Sequence, residues 1–80
     1  MKFTYAQEFT FEADANDARG ICEALWHGQR FYIHSTLESW MKANAQVARI
    51  VTGNPCSSAN FEEHVQDLFN LGLLKQANED

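Results

Sequence analysis

The chain is poor in proline, glycine and cysteine, with one Pro, four Gly and two Cys in 80 residues. So little proline and glycine leaves no stretch that reads as a flexible linker, and two cysteines are too few for a disulfide framework. Cys22 and Cys56 are therefore expected as reduced thiols. Basic residues are also scarce, six against eleven acidic ones, for a formal charge of −5. A general nucleic-acid binder needs a basic surface, so nucleic acid is a poor expectation for the chain as a whole. No apolar run approaches the ~20 residues that cross a bilayer, and no membrane association is expected. Met1-Lys2-Phe3-Thr4-Tyr5 alternates apolar with polar and does not read as a secretory leader. Cytoplasmic placement is the expectation.

Aromatic residues are plentiful: six Phe, two Trp and two Tyr within a hydrophobic share of 45%. A domain of this size buries only about 60–65% of its unfolded surface, and large side chains are how it can still build a core. The charge is uneven. Arg30, Lys42 and Arg49 lie in a mildly basic middle, between two acidic ends.

Phe3, Tyr5, Phe9 and Phe11 fall on odd positions with Thr4, Glu8, Thr10 and Glu12 between them, which is the period of a half-buried strand. No Gly, Pro or Asn-Gly interrupts the run, so it reads as one long strand, bulged near Gln7, with an edge open to pairing. Asp14 fits a helix cap and Asp17 adds favourable charge to the first turn. Ala18, Ile21, Cys22, Leu25 and Trp26 then form a helical stripe that ends near Gly28. Gly20, inside that helix, suggests close packing against the sheet. Phe31, Tyr32 and Ile33, within Arg30 to His34, read as a second strand, parallel to the first through a crossover.

Ser35 and Glu38 have the spacing of a capping box. Leu37, Trp40, Met41, Asn44, Val47, Ala48 and Val51 make the stripe of a second helix, stopped by Gly53-Asn54-Pro55. Asn60 and Glu63 have cap spacing for a third helix, although Ser58 could start it earlier. Phe61, Val65, Leu68 and Phe69 form its stripe. Gly72 ends it and Leu73 folds back over the last turn, as in a Schellman motif. The predicted order is β-α-β-α-α: an α+β fold with a small two-stranded sheet, open to extension by dimerisation, against two or three helices. Residues 1–74 read as one compact domain and 75–80 as a frayed tail.

Catalytic spacing is missing. The sequence has no G-x-S-x-G, P-loop or G-x-G-x-x-G. Its Cys and His spacings, 22 to 27 and 27 to 34, match no zinc ligand pair. Glu63, His64 and Asp67 read as a solvated helix face. Cys22 reads as core. Cys56, in a loop beside Pro55, is the more plausible thiol, but no neighbour in the sequence activates it. No catalytic residue, metal or cofactor is expected.

Asn44 on an apolar stripe is either a partly exposed residue at the stripe edge or a buried amide satisfied by a partner or by the fold. Trp26, Arg30 and Tyr32 have the composition of a binding hot spot. The function expected is a small acidic protein-interaction module without catalysis, using Trp26, Arg30, Tyr32 and Asn44 with the Phe3–Phe11 edge. By analogy with small stand-alone chains of phages and mobile elements, it would inhibit or modulate its protein partner. Homodimerisation is the simplest version. The alternative is a nucleic-acid-associated regulator using Arg30, Lys42 and Arg49. Lys42 and Arg49, seven apart, share a helix face.

Overall fold

A computed structural model describes residues 1–6, 9–28 and 36–77. The element order is β1 (Lys2–Tyr5), β2 (Phe9–Glu12), α1 (Ala18–Gly28), α2 (Leu37–Thr52), α3 (Phe61–Asn70) and β3 (Leu74–Gln76). The α+β class and the small sheet packed on helices are as expected. The strand plan differs. The sheet has three antiparallel strands in the order β2-β1-β3, and the strand expected over Arg30 to His34 lies outside the described residues.

The single N-terminal strand is in fact a hairpin, with Phe3 opposite Phe11 and Tyr5 opposite Phe9. Its three-residue connection preserves parity, so all four aromatics stay on one face. A straight strand and this hairpin produce the same alternation. The turn signal is missing because Ala6 takes the left-handed position, at φ 52°, usually left to Gly or Asn. The Ala6 amide donates to the Leu73 carbonyl at 2.7 Å, which helps hold the turn.

The expected fray begins too early. Lys75 and Gln76 belong to β3, which pairs with β1 through Tyr5–Leu74 and Phe3–Gln76. With β2 on one side and β3 on the other, β1 is the central strand, so Phe3 and Tyr5 offer no open edge. Phe3, Tyr5 and Leu74 are buried under the helices, and Phe9 and Phe11 pack partly buried beside them.

Helix α1 starts later than expected. Asp14 organises the preceding turn by accepting from the Asn16 amide, whereas the Asp17 carboxylate caps the helix by accepting from Gly20 N–H at 3.0 Å. That cap also explains Gly20. A Cβ there would meet the Asp17 carboxylate at 2.5 Å, so the constraint is the cap and not the sheet. Ile21, Cys22 and Leu25 are buried. Thr36 caps α2 by accepting from Ser39 N–H, the expected cap Ser35 lies outside the described residues, and Gly53 ends the helix in the left-handed region. Asn60 caps α3 by accepting from Glu63 N–H at 2.8 Å. The end of α3 is the expected Schellman motif: Leu73 N–H donates to Leu68 O and Gly72 N–H to Phe69 O.

The core joins Phe3, Tyr5 and Leu74 of the sheet to Ile21, Cys22 and Leu25 of α1, Leu37, Trp40, Met41, Ala45 and Ala48 of α2, and Val65 and Leu68 of α3. No helix among the described residues is long and apolar enough to cross a membrane.

Candidate functional site

Helix α2 positions two quite different surfaces. At 100° per residue, Leu37, Trp40, Met41, Asn44, Ala45 and Ala48 form one buried face. The predicted stripe continued through Val47 and Val51, but both are exposed, at 55% and 66%, and between them Ile50 is 82% exposed. These three side chains lie at i, i+3 and i+4, so they form one apolar patch on the C-terminal half of the helix. Beside it runs an open groove of about 540 Å³ lined by Gln46, Arg49, Ile50, Gly53, Asn54 and Pro55. Lys42 and Arg49 are both exposed, and Arg49 lines the groove. Across the surface the order is thus a basic flank, then Gln46, then Ile50, then Val47 and Val51.

Behind this face is a buried polar chain. The His64 Nδ1 lies 2.8 Å from the Ser57 carbonyl, so that nitrogen carries the proton and donates. The other ring nitrogen, Nε2, then accepts from the Asn44 amide at 3.0 Å. Asn44 Oδ1 in turn accepts from the Tyr5 hydroxyl at 3.2 Å. The Trp40 ring meets the imidazole edge-on, 5.8 Å away. His64 is fully buried, which overturns the solvated-face reading for that residue; Glu63 is exposed as expected and Asp67 is half-buried. Burial holds the imidazole below its ordinary pKa, while the Ser57 carbonyl and the Asp67 charge oppose that shift. Asp67 also accepts from the Ser57 amide at 2.7 Å, so two residues one turn apart on α3 grip both sides of Ser57.

This chain corrects the assignment of Asn44 to a partner surface. Its amide is buried and satisfied within the fold. The same geometry bears on Cys56, whose sulfur lies 3.7 Å from His64 Nδ1. A base for the thiol would need a lone pair there, and that nitrogen holds the proton given to Ser57. Burial and then the Asp67 charge push the Cys56 thiol up in pKa. Burial, with Glu62 adding to it, pushes Cys22 up to about 12. Neither sulfur has the electropositive setting of a reactive thiolate. Among the described residues, no group of three or more His, Cys, Asp or Glu could hold a metal ion.

Of the other predicted binding residues, Trp26 is half-buried against the core, with its ring 5.8 Å from that of His27. Arg30 and Tyr32 lie outside the described residues. The sequence reading missed Ile50 because it sits off the buried stripe. It misassigned Val47 and Val51 because an apolar stripe does not show where the body beneath it ends. No protein-family model, curated protein or solved structure matches the chain.

Proposed function

We propose that the chain is a small protein-interaction module that binds and modulates another protein through the C-terminal half of α2. The observation that carries this is the exposure of Val47, Ile50 and Val51 together on α2, beside a groove. Single exposed apolar residues need no explanation, but a contiguous patch with a polar rim is the usual mark of a recognition surface. The absence of an activated thiol in the Cys56–His64 pair favours binding over catalysis. Lys42 and Arg49 alone would give a phosphate contact that is weak and steeply salt-dependent, so the nucleic-acid reading ranks second.

The test is affinity capture from the source cell's lysate with nuclease present, comparing wild type, Ile50→Glu and Trp26→Ala. A stoichiometric protein held by wild type and lost with Ile50→Glu, at unchanged helical circular dichroism, supports the α2 face. Capture lost only with Trp26→Ala would move the site to the surface expected from Trp26, Arg30 and Tyr32. Recovery that disappears with nuclease would favour nucleic acid.

A further inference from the structure

We infer that a second copy of the chain covers the exposed side of α2. The two helices pair antiparallel about a two-fold axis beside Val47, and any other protein has to compete with the copy for this face. The inference rests on the reading above, because it names what controls access to the same surface.

Helix α2 separates its charge from its exposed apolar side. With Leu37 set at 0° and 100° per residue, Glu38, Arg49 and Lys42 fall at about 100° to about 140° around the axis, whereas Ile50, Ala43 and Val47 fall at about 220° to about 280°. Val51 adjoins that second sector on the side of the buried face. Ser39 and Gln46, exposed between the two sectors, are polar and uncharged. The whole outer side from Gln46 round to Val51 therefore carries no charge, on a chain with six basic and eleven acidic residues. Depletion of charge marks the centre of an interface.

The same side fits itself. Ala43, Val47 and Ile50 are spaced four and three apart, as along the seam of a coiled coil. Ala43 is small and half-buried, whereas Ile50 is large and 82% exposed. They are seven residues apart, so an antiparallel pair centred between Gln46 and Val47 sets Ala43 of each copy opposite Ile50 of the other. A protruding side chain then meets a recess in both layers, with Val47 next to its own copy at the axis. No like charges are opposed, because Glu38, Lys42 and Arg49 lie roughly 110° or more from the middle of the seam.

Area sets the strength. A standard interface takes about 800 Å² from each partner. Three exposed side chains with Ala43 and Gln46 beside them offer less, so the pair is weak and dilute protein is monomeric. Each copy carries a formal −5, and the two bodies repel. Salt screens that repulsion and leaves the apolar contact intact, so the pair tightens as salt rises.

The experiment is sedimentation equilibrium of the full chain from about 20 µM to about 1 mM, in low and high salt, with oxidative cross-linking of single-cysteine variants. The native Cys22 and Cys56 are buried. The inference expects a dimer that tightens with salt, weakens at least tenfold in Ile50→Glu at unchanged helical circular dichroism, and is unaffected by Arg49→Glu. Val47→Cys should cross-link and Lys42→Cys should not. A chain that stays monomeric at the highest concentration overturns the inference, and the reading above survives it if Ile50→Glu still releases the protein captured from lysate. A dimer that withstands Ile50→Glu, or that cross-links through Lys42→Cys instead, lies elsewhere and also overturns it. The cross-linked Val47→Cys dimer, with its face closed, should no longer capture that protein. Capture retained by this dimer leaves the second copy on α2 and overturns the reading above.

Discussion

The two halves of α2 carry similar apolar residues in opposite surroundings. In the N-terminal half, Trp40, Met41 and Asn44 are buried where α2 packs on α1 and α3, and even the amide is satisfied. In the C-terminal half, Val47, Ile50 and Val51 stand in solvent. Helical periodicity is continuous along α2, whereas the body it packs against is not. Burial is therefore set by how far the neighbouring elements reach. Val51 carries the stripe past the core, whereas Ile50 lies off the stripe and faces outward, so both are left free for other contacts.

This contrast can be tested by substitution, from the largest effect to the smallest. Trp40→Ala should cost about 3–5 kcal/mol, the usual loss for a large core aromatic, measured by urea unfolding. Asn44→Leu leaves the Tyr5 hydroxyl and His64 Nε2 without their shared partner, and should cost about 1–3 kcal/mol for each group left unsatisfied. A smaller loss would mean that the polar chain relaxes around the gap.

Acidification should weaken the same region. His64 is held neutral, with its folded pKa below the ordinary value of 6.5. Its contribution is then complete above about pH 6.5 and is lost as pH falls toward the folded pKa, because the unfolded chain takes up the proton first. Protonation also puts a hydrogen on Nε2, where the Asn44 amide donates, so Asn44 would have to turn over and Tyr5 would have to accept. Urea midpoints from pH 7.5 to 5 should fall for wild type and fall less for His64→Gln. Parallel slopes would remove His64 as the cause. At the exposed end, Ile50→Ser should change stability by no more than about 0.5 kcal/mol by the same measurement. A larger loss would show that Ile50 is covered in solution.

Much of the local structure could be read from the sequence. The Asn60 cap, the Gly53 stop and the Gly72–Leu73 ending each depend on residues within one or two turns. The hairpin was hidden because Ala6 occupies a position where Gly or Asn would have given a signal. β3 was hidden because Leu74-Lys75-Gln76 has no strand pattern of its own and is ordered by pairing with β1. The polar chain could not be read because its members come from β1, α2, the loop after α2, and α3, with 39 positions separating Tyr5 from Asn44. Asn44 was legible as an oddity, but its partners were not.

By itself, then, the sequence determined the α+β class, the three helices, the endings of α2 and α3, and the alternation that puts Phe3, Tyr5, Phe9 and Phe11 on one face. These follow from backbone geometry and hydrogen bonding over a few neighbouring residues. Tertiary structure alone decided that the first strand turns back on itself and that the chain end closes the sheet. It also decided that His64 is buried and held neutral, and that Val47, Ile50 and Val51 remain uncovered. Each of these depends on which distant segment comes to lie against a residue, and so on desolvation and partner geometry that no local pattern encodes.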